Sequence, residues 1–282
     1  MKKPITVCRY SFFAWVSSTK AMMFLLYYIA SYQLFIKPYI EFSQQMNSPL
    51  GTLEPFLIMT TMPYAASLFP LFAVVLLGDI PIIDASGKFV IFRTGKAKWF
   101  AGQMLFILCV SALMQIFMLL FCACTVNVNS FFKNGWSLPV RYALSKDSNI
   151  LEAFALDGAV INQVRPFHLV GITFSMNLLH TLVIGLVQYC FTLTGKRVLG
   201  ILINIAMIGA GFCLWYVNTP FKWLLPLSHA LYTGHYDRFY NKTYCDIRLS
   251  YLYFVVLIAA LIFIAYRLTR KSSFHNIEVV DQ

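Results

Sequence analysis

The chain has 282 residues, 59% hydrophobic and only 12% charged, with a net charge of +11 and a mean hydropathy of +0.70. A soluble domain carries about 25% charged residues, and one of this composition would expose large apolar patches that soluble proteins avoid. These figures exclude an ordinary soluble enzyme. No soluble segment presents the basic stripe with interleaved aromatics that nucleic-acid binding requires.

In chain order, residues 1–20 place Ile5, Cys8, Phe12, Trp15 and Val16 near one helical face, with Lys2, Thr6 and Arg9 elsewhere. That pattern reads as an amphipathic helix lying in the membrane interface, Trp15 at headgroup depth, rather than as an extension of the first span. Six stretches then lack Asp, Glu, Lys and Arg: Ala21–Ile36, Phe56–Leu77, Trp99–Val126, Phe167–Thr194, Val198–Val217 and Leu249–Tyr266. A bilayer crossing needs about 20 largely apolar residues. The expected spans are therefore 21–40, 56–77, 99–126, 167–194, 198–217 and 249–266, the first extended past Lys37 by snorkelling. The expected fold is an all-α integral membrane protein forming a single transmembrane domain over 1–282.

Between the spans, the first outer loop is short and Gly78–Lys98 is a basic cytoplasmic loop. Asn127–Pro166 is too long for a simple turn and should hold some helix of its own. Gly195–Arg197 closes a tight hairpin. Thr219–Gly234 is apolar and aromatic but broken by Pro220 and Pro226. It reads either as a re-entrant helical pair resting on the outer ends of the spans or as an amphipathic surface loop.

With both termini inside, the cytoplasmic segments hold Lys2, Lys3, Arg9, Lys20, Lys88, Arg93, Lys96, Lys98, Lys196, Arg197, Arg267, Arg270 and Lys271, most of the 22 basic residues. That agrees with the positive-inside rule. A multi-pass location in the plasma membrane of a bacterial cell is expected, without a cleaved leader. The seven cysteines are scattered, and Cys122-x-Cys124 lacks partner ligands at metal spacing. No metal site or catalytic residue is expected.

Burying a charge in a span costs several kcal/mol and marks function, yet the spans carry only His168, near an end, and His180. Asn177 and His180 lie three apart on one helical face, with Gln188 further along. They are the candidate substrate path, although ordinary interhelical hydrogen bonding, worth about 1 kcal/mol each, is the default role for such groups. Signatures of intramembrane proteases are missing: Gly78-Asp79 lacks the glycine two positions earlier, Ser86-Gly87 follows Asp84, and no His-Glu-x-x-His occurs. Gly87-Lys88, Gly95-Lys96 and Gly195-Lys196 lack the surrounding residues of a phosphate-binding loop. If ATP is used, another chain hydrolyses it.

The layout resembles the permease subunit of type 2 ABC exporters (the ABC-2 membrane family) over nearly the whole chain. The resemblance rests on the N-terminal helix, the six spans, the loop after span two and the broken helices before span six. In that loop it is carried by Leu77-Gly78-Asp79, Asp84-Ala85-Ser86-Gly87, Phe92-Arg93-Thr94-Gly95 and Lys98-Trp99-Phe100-Ala101-Gly102-Gln103. Leu225-Pro226-Leu227-Ser228-His229 is similar to the family's segment before the last span. Departures are the reduction of the usual acidic-basic-acidic cluster to Asp84, Gln103 where a lysine is usual, and a long loop between spans three and four.

The resemblance implies a cytoplasmic coupling helix between spans two and three, seated in a cleft of a separate ABC ATPase. Asp84, Gly87, Arg93, Thr94, Lys96 and Lys98 would be the ATPase-coupling residues. It also implies a second permease subunit, identical or different, and no cofactor on this chain, with ATP and Mg on the partner ATPase. The implied activity is export of a hydrophobic, peptide-like or lipid-like substrate, with no catalysis by this chain itself. The alternative is a non-transporting multi-span protein, an immunity, assembly or signalling partner.

Overall fold

The computed structural model describes residues 2–82, 85–126, 130–143, 158–236 and 242–272. The described residues are mostly helical: α1 Lys2–Val16, α2 Lys20–Ser31, α3 Lys37–Gln45, α4 Glu54–Thr61, α5 Pro63–Leu77, α6 Ala85–Thr94 and α7 Lys96–Thr125 make the first half. After them come α8 Leu138–Ala143, α9 Gly158–Gln163, α10 Pro166–Leu193, α11 Arg197–Tyr216, α12 Pro226–Ala230 and α13 Ile247–Lys271. Two dipeptides, β1 Leu50–Gly51 and β2 Ser130–Phe131, pair in parallel.

Among the described residues, four helices are long and apolar enough to cross a membrane: α7, α10, α11 and α13. Their limits fall within a few residues of the expected spans 99–126, 167–194, 198–217 and 249–266. The stretch expected as one span over 56–77 is instead broken into α4 and α5, bent by 81°. Proline explains the break. Pro63 has no N–H to continue the ladder, and the residue before a proline is pushed out of the helical region. Met62 accordingly sits at φ −69°, ψ 125°. Counted as one bent unit, the pair makes a fifth candidate crossing.

The stretch expected over 21–40 is helical throughout but not uniformly α. Tyr32–Ile36 forms a π turn between α2 and α3, in which the Lys37 N–H reaches back five residues to the Tyr32 carbonyl. Pro38 again supplies the reason. It cannot donate to the carbonyl four residues earlier and its ring crowds that position, which a local shift of register relieves.

Side-chain contacts define two ends of the bundle. At one, Lys20 and Arg197 both pair with Asp79, and Trp15 Nε1 donates to the Leu76 carbonyl at 3.1 Å. At the other, Tyr39 donates to Glu54 at 3.0 Å, and Glu54 accepts the Ser137 N–H at 2.6 Å. Near that second end Trp136 Nε1 donates to the Val164 carbonyl at 2.8 Å. The α2–α3 run thus passes from the Asp79 end to the Glu54 end, and α4–α5 returns.

The central helix is α10, which packs against α4, α5, α7, α11, α12 and α13. Helices in lipid associate through close packing at small residues, because apolar burial alone does not distinguish lipid from protein. Gly185 of α10 provides such a place: a Cβ there would lie 2.7 Å from Ile107 Cγ2 of α7. By contrast α13 is mostly open to its surroundings, with Leu252, Val255, Val256 and Phe263 between 57% and 60% exposed, the face lipid would solvate.

The N-terminal helix differs in phase from expectation. Its buried stripe is Val7, Cys8, Ser11 and Trp15, while Ile5 and Val16 are 60% and 44% exposed. The stripe lies against α7 rather than leaving Trp15 at a free surface, and Gln103 Nε2 donates to Ser11 Oγ at 2.9 Å. Gly102 allows this contact, since a Cβ there would stand 2.5 Å from Val7 Cβ and 2.8 Å from the Pro4 carbonyl. Gly102→Leu is expected to displace α1 without unfolding the bundle. Limited proteolysis should then cut near Ser17–Thr19 faster in the variant, and equal cutting rates would contradict this packing.

The segment between α11 and α13 forms short helices, Pro220–Leu224, α12 and Tyr232–His235. Its centre is tucked inward: Leu227, Ser228, Leu231, Tyr232 and His235 are nearly inaccessible. Its histidines are hydrogen-bonded internally, as burial favours, whereas the Thr219 and Ser228 hydroxyls have no partner among the described residues. His229 donates from Nε2 to the Trp223 carbonyl at 2.8 Å and accepts the Ser250 hydroxyl at Nδ1 at 2.7 Å. Burial pushes the His229 imidazole down to about 4, in keeping with this neutral arrangement.

Candidate functional site

Of the expected coupling residues, Gly87, Arg93, Thr94, Lys96 and Lys98 lie toward the Asp79 end, on α6 and the start of α7. Helix α6 follows α5 after a short connection, and Gly95, at φ +81°, turns the chain into α7. The helix lies on α7 through Ile91, which is 4% exposed, and Gly87 is also buried. On the outward side Phe89 and Phe92 are 76% and 77% exposed, beside exposed Arg93. Thr94 Oγ1 donates to the Val90 carbonyl at 2.7 Å, so its hydroxyl closes the last turn of α6. Asp84 lies outside the described residues.

Lys96 and Lys98 both follow the Gly95 turn, but the structure places Lys96 in a specific contact. Lys96 Nζ donates to the carbonyls of Arg270 at 3.1 Å and Ser272 at 2.7 Å. A cation at the C-terminal carbonyls of a helix satisfies orphan acceptors and opposes the negative end of the helix dipole. Lys96 therefore ties the start of α7 to the end of α13. Lys98 is exposed.

A further side chain holds this end together, one that the sequence does not place among the expected coupling residues. Asp79, just past α5, pairs with Lys20 at the start of α2 and Arg197 at the start of α11. Its side chain is 24% exposed, against 14% for Lys20 and 38% for Arg197, so the cluster is partly withdrawn from water and less screened than a surface pair. The signal available in sequence was scarcity: Asp79 is one of only 11 acidic residues and sits in a strongly basic segment.

Gln188 of α10 adds an uncharged tie at the same end. Its Nε2 donates to the Gly78 carbonyl at 2.7 Å and the Arg197 carbonyl at 3.2 Å, joining α5, α10 and α11. The other two residues of the expected substrate path separate from each other. Asn177 Nδ2 is spent on its own helix, at the Thr173 carbonyl, 2.9 Å away. His180 turns toward α13, with its ring 6.5 Å from Phe254. Three residues of separation on a helix differ by about 60° in direction, enough to point the two at different neighbours in the crowded surroundings of α10.

At the opposite end Glu54 performs a comparable role, also without a prior signal. It is 1% exposed and takes hydrogen bonds from the Gly51 N–H at 2.8 Å, the Ser137 N–H at 2.6 Å and the Tyr39 hydroxyl at 3.0 Å. One side chain so gathers α3, the β1 turn and the start of α8. A cleft beside it is lined by Thr52, Phe131, Phe132, Lys133 and Phe167.

Among the described residues, no three His, Cys, Asp or Glu side chains gather as metal ligands would. What the arrangement presents is mechanical: an exposed aromatic and basic helix, α6, joined to the helix ends by an ion cluster on one side and a lysine clamp on the other. Comparison with protein-family models, with curated proteins and with solved structures finds no match for this chain.

Proposed function

We propose that this chain is the membrane subunit of an ATP-driven exporter, in which α6 receives force from a separate ATPase and passes it to the helix bundle. The observation that carries the reading is the outward face of α6. Phe89 and Phe92, three-quarters exposed, stand among Lys88, Arg93 and Lys98 at a basic end of the molecule. Aromatic and arginine side chains are the usual anchors of protein interfaces, with rim charges steering encounter, and guanidinium binds acidic groups in charge-assisted pairs.

On this reading the Asp79 end is cytoplasmic, both termini are inside, and the α2–α3 run and the bent α4–α5 pair complete six crossings. Displacement of α6 is then transmitted at two points. Through the chain just before it, force reaches Asp79 and hence α2 and α11. Through Lys96, just after it, force reaches α13. The uncharged crossings suit a hydrophobic, peptide-like or lipid-like cargo, since ions would meet no compensating charge there. A second permease subunit would complete the path.

The test is recovery of ATPase from native membranes on the tagged full-length protein. Arg93→Glu with Lys98→Glu is expected to reduce the ATPase recovered about tenfold, the effect of roughly 1.4 kcal/mol in binding. Phe89→Ala with Phe92→Ala should lower it without altering the charge. Full recovery with both pairs of substitutions would reject the coupling role and favour a non-transporting membrane partner.

A further inference from the structure

Ser111 and Gln115 lie one turn apart on α7 and both are 0% exposed. Neither the Ser111 hydroxyl nor either end of the Gln115 amide has a hydrogen-bond partner among the described residues. Each such orphan costs about 1–3 kcal/mol in a buried setting, so two adjacent side chains of this kind require a physical reason.

Their position relative to α10 supplies one. The two helices run antiparallel: Trp99 and Tyr189 rings are 6.1 Å apart near one end, and Asn134 Oδ1 accepts the Phe167 N–H at 3.1 Å beyond the other. Ile107 meets Gly185 between those points. Stepping one turn at a time from that contact brings Ser111 level with Thr181 and Gln115 level with Asn177. Both α10 residues are buried and donate to their own helix, Thr181 Oγ1 to the Asn177 carbonyl at 2.8 Å and Asn177 Nδ2 to Thr173. Thr181 therefore has no donor left for the opposite helix and Asn177 only its second amide N–H, fewer than the three unpaired atoms of Ser111 and Gln115.

At this depth α7 and α10, which pack on each other, carry buried polar groups that the closed packing leaves unsatisfied. A water molecule, being both donor and acceptor, would satisfy the Gln115 amide and the Ser111 hydroxyl, whereas further closure cannot. The lining contains no Asp, Glu, Lys or Arg between Trp99 and Val126 or between Phe167 and Thr194, so it stabilises neutral hydrogen-bonding groups and not ions. We propose that the Ser111–Gln115 and Asn177–Thr181 seam is an internal water-binding site at which α7 and α10 part to admit solvent. The inference rests on the membrane setting of the two helices and is independent of the coupling role of α6.

Cysteine reactivity in the full-length protein in lipid vesicles tests it. Thiol attack requires the thiolate, hence water. S111C, Q115C and T181C, each read by peptide mass spectrometry, are treated with a neutral hydroxyethyl methanethiosulfonate and with its trimethylammonium counterpart. The controls are L108C and I116C, on the outward side of α7, where Leu108 and Ile116 are 44% and 46% exposed. The seam positions are expected to react with the neutral reagent about tenfold faster than the controls, and more slowly with the cationic one. S111C changes one atom and guards against loss of fold in the others. Seam rates no greater than the controls would overturn the proposal, as would equal rates with both reagents. ATPase recovery plays no part in this readout, so the two ideas fail separately.

Discussion

Glu54→Ala is expected to destabilise the protein by about 3–5 kcal/mol, more than any other single substitution proposed for it. The substitution strands three donors at once: the Gly51 and Ser137 backbone N–H groups and the Tyr39 hydroxyl. A buried donor left unpaired costs about 1–3 kcal/mol. The three penalties are not additive, because water from the adjoining cleft beside Thr52 and Phe132 can reach part of the gap. Glu54→Gln keeps one acceptor but turns an N–H₂ toward a donor, so it should fall between alanine and the parent. Thermal unfolding in detergent would show the order parent, glutamine, alanine. Identical midpoints for all three would mean that Glu54 does not gather the surrounding segments.

The second large effect is expected at Asp79. Asp79→Asn removes the anion and leaves the ammonium of Lys20 and the guanidinium of Arg197 facing each other in a partly dehydrated place. Breaking a fully buried pair costs about 3–5 kcal/mol. Here Arg197 is 38% exposed, and screening lowers the figure to about 2–3 kcal/mol. Lys20→Met should cost less, since Arg197 still neutralises the aspartate. The ranking D79N worse than K20M, measured by thermal unfolding at low and high salt, distinguishes an ion cluster from simple packing. If K20M proved as damaging as D79N, the shared-anion account would be wrong. On the exporter reading, D79N should also weaken transmission from α6 to α2 and α11 while leaving ATPase recovery intact.

Both residues were unremarkable in the linear chain for the same physical reason. Glu54 begins a short helix, and its partners Tyr39 and Ser137 lie on other segments, one of them 83 positions away. Asp79 stood in a segment selected for its positive charge, where its two cations belong to α2 and α11. The spacing of residues along a chain reports local periodicity, and neither contact is local. Lys96 illustrates the same point: as a basic residue near α6 it was grouped with Arg93 and Lys98, yet its ammonium caps α13.

The polar residues of α10 give the converse case. Asn177, His180 and Gln188 were legible as unusual because polar groups are rare in apolar stretches, and all three are buried. Which neighbour each one faces depends on helix rotation, and α10 has neighbours on every side. Ser111 and Gln115, on the other hand, looked ordinary. Their interest lies wholly in the lack of a partner, a property that no sequence records.

Composition and the positions of charges were sufficient to determine the solvent this chain needs and the limits of its four long apolar helices. Uncharged length is a one-dimensional quantity, and lipid selects for it directly. The tertiary structure decided where the chain bends at Met62–Pro63, which face of α1 is covered, how α6 is braced by Asp79 and Lys96, and which polar groups in α7 stay unpaired. Each of these depends on the relative rotation and depth of helices distant in the chain, and that geometry exists only once they pack.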